Sequence, residues 1–237
     1  MCFSFEADLV AGAVLLPLGV ATLRATTSPR QWPLASLPII FAAHQLIESV
    51  VWLGIGTDNR VSDQLFHAAI VVYLAIAQVL LPALVPAAAW LVERDRRRRQ
   101  LMLLPIGAGV MTAAWFAWSI ATHDVGAHES GNALAYDTDI HIGPWITTGY
   151  ILATCGAILM SSGRYLFAFG VANVIGLSLA ALVAYEAVTS VWCVYAAFSS
   201  VLLLIHFRAE RAGQAARSDS GDGSGAARPP ARHPAPN

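Results

Sequence analysis

The sequence contains no lysine; all 14 of its basic residues are arginine. Several long apolar runs invite comparison with the retinal pigments, but retinal is held as a Schiff base on a lysine amine, so that chemistry is excluded. Charge of either sign is scarce, at 12% of residues against about 25% in soluble domains. That scarcity excludes an ordinary soluble domain. It also leaves no nucleic-acid footprint beyond one short arginine run, so no nucleic-acid partner is expected. Only three cysteines occur, with no CxxC spacing. Cys155 and Cys193 lie inside apolar runs and read as small packing residues rather than a disulfide or metal ligands. Nucleotide loops, the GxSxG elbow and the kinase signature residues are all missing, which argues against soluble-type catalysis. No basic stretch precedes the first apolar run, so that run is expected to be a retained span.

What the chain has in quantity is apolar length: 57% of residues are hydrophobic and the mean hydropathy is +0.59. Runs of about 20 apolar residues cross a bilayer, and the sequence divides into seven of them. The expected spans are Leu9–Leu23, Leu34–Ile55, Gln64–Val92, Leu101–Ile120 and Pro144–Met160, followed by two within Tyr165–Phe207. The last stretch is too long for one crossing and is expected to fold back near Ala184–Glu186. Pro82 and Pro86 are expected to kink the long third span, or its end to lie in the interface. From Gly213 the composition turns to Gly, Ser, Pro, Ala and Arg, with nothing to bury. The expected organisation is therefore a transmembrane domain over residues 1–212 and a disordered tail over 213–237. The fold class expected is all-α, an integral membrane bundle of seven helices.

Orientation follows from the arginines, which favour the cytoplasmic side. With the N-terminus outside and the C-terminus inside, 13 of the 14 fall on the cytoplasmic side, and only Arg60 does not. The loop ERDRRRRQ at residues 93–100 then reads as a solvated cytoplasmic loop that attracts anionic lipid. The expected setting is a bacterial cytoplasmic membrane, with the lipid bilayer as the one assured partner and protein partners unknown.

The same topology assigns depth to the polar residues. His44, Gln45, Glu48 and Trp52 fall on one face of the second span at 100° per residue. A carboxylate at membrane depth costs several kcal/mol unless it is paired or meets water. Asp8, Asp63, His67 and Glu186 gather at the same outer half. The reading drawn from this is an outward-facing polar cavity, with His44, Gln45, Glu48, Trp52, His67 and Glu186 as ligand-binding candidates, taking a small ligand, an ion or a proton. No cofactor is expected. A second reading is a membrane-embedded metal hydrolase acting on a lipid, with His44, His67 and Glu48 or Asp63 as ligands, since such groups suit a tetrahedral zinc site. A third is a structural or partner-binding subunit whose polar groups satisfy one another. The segment Ala121–Gly143 is expected to be a loop, where His123, His128, Asp137, Asp139 and His141 are more often solvated than metal-bound.

Three segments resemble a group of bacterial seven-span proteins that begin MCFS and are known only as a domain of unknown function: MCFSFEADLVAG, HQLIESVVWL and SVWCVYAAFSSVLLLIH. The resemblance covers the chain to about Phe207 and implies a multi-pass membrane protein without implying a mechanism. A more distant likeness is to the seven-span ceramidase and adiponectin-receptor hydrolases, which hold zinc with three His, an Asp and a Ser. This sequence lacks their HxxxH pair in the seventh span, where only His206 stands.

Overall fold

Helix α1 (Phe5–Ala25) starts where Ser4 Oγ accepts the Ala7 N–H at 3.3 Å, with Glu6 and Asp8 in its first turn and Arg24 in its last. Acids at the N-terminal end and a base at the C-terminal end both match the helix dipole. The computed structural model describes residues 4–55, 60–130, 133–138, 143–183 and 199–215. The described residues are mostly helical, at 84%. After α1 come α2 (Leu37–Gly54), led in by a short turn from Pro29, α3 (Asp63–Val92), and α4 (Leu103–Thr122). Then follow α5 (Pro144–Leu159), α6 (Arg164–Val183) and a last helix, α7, over 199–215.

Four of these helices are long and apolar enough to cross a membrane: α1, α2 with its lead-in, α3, and α4 with the turn before it. The described apolar parts of α5 and α6 are shorter. The expected fold-back near Ala184–Glu186 lies outside the described residues. So does most of the tail; α7 itself runs on to residue 215, past the expected boundary at Gly213.

Helices α1 and α2 pack closely because α1 turns small residues toward its neighbour. A Cβ at Gly12 would stand 2.6 Å from Leu46 Cγ, and one at Gly19 would stand 2.8 Å from the Ile39 backbone nitrogen. Such small-residue contacts let helix backbones approach where apolar burial gives no preference for protein over lipid. The approach is closer still between α3 and α4, where a Cβ on Gly109 would collide with the Pro82 carbonyl oxygen.

The expected proline kink takes another form. Helix α3 widens into a π-turn over Ala75–Leu80, and the α-helical pattern resumes with Pro82 near its start. In the widened turn Leu81 N–H bonds back to the Ile76 carbonyl. The next such bond would run from residue 82 to Ala77, but proline has no N–H to give. The Tyr150 hydroxyl of α5 donates to the Ala77 oxygen at 2.9 Å instead. A side chain of one helix thus fills the backbone gap in another.

One element departs from the all-α expectation. Val125–Ser130 (β1) and Ala133–Thr138 (β2) form an antiparallel hairpin, with Val125 opposite Thr138 and Ser130 opposite Ala133. It occupies much of the segment expected to be a loop. Val125 and Leu134 are buried against Val51, Ile70 and Tyr73 of α2 and α3. A second apolar core lies toward the opposite end and joins Leu15, Phe41, Val85, Phe169 and Phe207.

That opposite end carries the described arginines other than Arg60. Its turns are knit more tightly than a solvated loop would be. Glu93 is 5% exposed and accepts four hydrogen bonds: from the N–H groups of Arg94 (2.9 Å) and Asp95 (2.8 Å), and from Ser162 N–H (2.7 Å) and Oγ (2.6 Å). Arg98 donates to the carbonyls of Met160 and Ser161 at 3.0 and 3.3 Å, and Arg99 stacks on Trp90 at 3.8 Å. Arg94, Arg96, Arg97 and Arg98 remain exposed, as expected of that loop.

Burial works to raise the Glu93 carboxyl, but the bonds from Ser162, Asp95 and Arg94 outweigh it and hold the group below its ordinary value of 4.5. A depressed carboxyl favours the folded state fully above that ordinary value, and the preference fades as pH falls through the lower, folded value. The gap in thermal midpoint between wild type and Glu93→Ala, measured in detergent, should therefore narrow as pH drops below about 4.5. A gap that stays constant with pH would contradict this role.

Candidate functional site

At the hairpin end, α1, α2, α3 and β2 bring a set of polar side chains together in the interior. His44, Gln45 and Glu48 of α2 are all but sealed from solvent, and Glu48 and Asp8 of α1 are each 0% exposed. Glu48 Oε1 accepts the Tyr73 hydroxyl at 3.1 Å, and its other oxygen lies 3.5 Å from the Gln45 amide nitrogen. Asp8 Oδ2 accepts the Trp52 indole N–H at 3.0 Å. Asp8 and Glu48 stand near enough for their carboxyls to interact electrostatically.

Over these lies a stack of three rings. The His44 ring centroid is 3.9 Å from that of Tyr73, and Tyr73 is 4.4 Å from Tyr136 of β2. The hairpin therefore covers the cluster and contributes a residue to it. Burial, with the nearby acids, pushes the Tyr136 phenol well above its ordinary value, so it stays a neutral hydroxyl.

Every donor named to the two carboxyls is neutral: a phenol, an amide and an indole. Among the described residues neither carboxyl forms an ion pair. Asp8 Oδ1 and His44 Nε2 are buried with no hydrogen-bond partner there. Buried polar atoms nearly always have a partner, whether protein, water or ligand. The arrangement can therefore accept a proton or a small cation, using carboxyl oxygens and an imidazole nitrogen.

Of the residues expected from the sequence, His44, Gln45, Glu48 and Trp52 stand together in this cluster. His67 does not; it lies on an exposed face of α3, and Asp63 is exposed nearby. Glu186 lies outside the described residues. Among the described residues no group of three or more His, Cys, Asp or Glu is placed to hold a metal ion. In the connecting segment, His123 closes α4, its Nδ1 within 3.1 Å of the Ser119 carbonyl oxygen. His128 is exposed on β1. The side chain of Asp137, together with Asp139 and His141, lies outside what is described.

Tyr73 and Tyr136 were not foreseen. The signal for Tyr73 is that a phenol inside an apolar span needs a polar partner, and Glu48 is one. For Tyr136 it is the alternation of Leu134 and Tyr136 with smaller or polar neighbours.

Fold and cluster together define a helical membrane-type protein with an acidic, aromatic site enclosed under a β-hairpin. The chain belongs to a family described as a family of unknown function (DUF6629), whose model matches residues 1–219. No curated protein and no solved structure matches the chain.

Proposed function

We propose that this is a multi-pass protein of a bacterial cytoplasmic membrane, with seven spans, its N-terminus outside and its C-terminus inside, that binds or conducts a proton or small cation at Glu48 and Asp8. The arginine distribution supports the orientation, because helices of alternating direction leave Arg60 alone at the hairpin end. The observation that carries the function is a pair of fully buried carboxyls held by neutral donors. A purely structural role at that depth is served better by apolar residues or by an ion pair. Placing the hairpin on the outer side makes it the cover of an outward-facing site. Access then requires Tyr136 to lift from Tyr73.

The test is flux into proteoliposomes loaded with a pH-sensitive dye, under a potassium potential that drives cations inward. The wild-type protein should acidify the lumen faster than Glu48→Gln. Equal rates for the two, at equal reconstitution, would remove the reading.

A further inference from the structure

At the arginine-bearing end, an apolar groove of about 830 Å³ runs between α1 and α7. Leu16, Pro17 and Val20 form its floor on one side and Ala212 and Ala215 on the other, while Arg24, Arg208 and Arg211 stand at its mouth. A second apolar groove, of about 640 Å³, lies on the other flank of α1, where it shares Val20 and Arg24 with the first and is closed by Trp32 and Pro33. Among the described residues no acidic side chain lines either groove.

The nearest carboxylate on α7 is turned away from them. Glu210 accepts Arg94 at 2.8 Å and the Gln31 amide at 2.7 Å on the far side of the helix. Among the described residues the three arginines form no ion pair. Arg211 is fixed in place, with one nitrogen donating to the Arg24 carbonyl at 3.0 Å. That bond satisfies a carbonyl at the C-terminal end of α1 and leaves the rest of the guanidinium free to take an anion. Trp32, 59% exposed, stands where an amphipathic ring sits at headgroup level.

The geometry points to a specific site for one anionic phospholipid, its phosphate held by Arg24, Arg208 and Arg211 and its two acyl chains laid in the grooves on either side of α1. Guanidinium is the side chain suited to phosphate, which it meets with two parallel N–H bonds. An uncharged lipid would bring no phosphate, and a zwitterionic one would bring an ammonium beside three like charges. Two apolar grooves meeting at one cluster of like charge fit a two-chain lipid rather than a free phosphate, which would have no use for either. The inference rests on the chain lying in a membrane but not on the role of Glu48, so Glu48→Gln should leave lipid retention unchanged.

The experiment is native mass spectrometry of the full chain released from nanodiscs of phosphatidylcholine doped with phosphatidylglycerol. Wild type should retain one phosphatidylglycerol in strong preference to phosphatidylcholine. Arg24→Gln with Arg208→Gln should lower that preference about tenfold, since each arginine near an anionic headgroup contributes a several-fold factor. Arg96→Gln with Arg97→Gln removes the same charge from the same end, outside the grooves, and should change nothing. Ala212→Trp, which fills the first groove and leaves every charge in place, should also lose the lipid. Circular dichroism checks that each variant is folded; should the arginine pair fail to fold, Ala212→Trp decides alone. No preference in wild type, equal losses in the two arginine pairs, or full retention in Ala212→Trp would each overturn the site.

Discussion

Glu48→Ala should lower stability by about 3–5 kcal/mol, and Glu48→Gln by less than about 1 kcal/mol. The alanine variant removes the acceptor for the Tyr73 hydroxyl and the Gln45 amide, both in the interior. Each orphaned donor costs about 1–3 kcal/mol, and a void remains where the side chain was. Glutamine keeps the volume and an oxygen for Tyr73. Equilibrium unfolding in mixed micelles measures both. The contrast also separates structure from function: Glu48→Gln should fold and yet fail in the flux assay. If the two variants were equally stable, Glu48 would not be the organising acceptor of the cluster.

The second large effect is expected far from that cluster. Gly109→Ala should cost about 3 kcal/mol or more, at the upper end of what overpacking costs. The added carbon would meet the Pro82 carbonyl oxygen, a backbone atom that cannot rotate away, so α3 and α4 must separate. Gly107, on the same helix, meets nothing within 4 Å, and Gly107→Ala should be neutral or slightly stabilising because alanine favours helix. Opposite outcomes at two glycines two residues apart would isolate contact from propensity. Thermal unfolding in one detergent suffices, and similar small changes at both would refute the close approach.

Much of the bundle is legible in the sequence because lipid imposes a simple rule on it. Apolar length marked α1 to α4 closely, and the polar face of α2 marked His44, Gln45, Glu48 and Trp52. The hairpin was harder to see. Its strands are six residues long and hold few large apolar side chains, so their pattern is faint beside the spans. The Gly131–Asn132 pair between them is a hairpin-turn signal that the length of the segment obscured. Tyr73 was missed because an aromatic in an apolar run reads as packing, and only the neighbouring helix shows what its hydroxyl meets. Glu93 was missed for the converse reason: it opens a run of arginines, and a charge run reads as solvated unless a distant turn, here Ser162, is known to fold onto it.

The bond from Tyr150 to Ala77 bears on biosynthesis. The two residues are 73 apart in the chain, so α3 leaves the ribosome well before the hydroxyl that completes it. During that interval the Ala77 carbonyl lacks both the donor that Pro82 cannot give and the Tyr150 hydroxyl. The widened turn of α3 is therefore completed only when α5 packs against it. Proline at position 82 thus ties the last hydrogen bond of one helix to the docking of another.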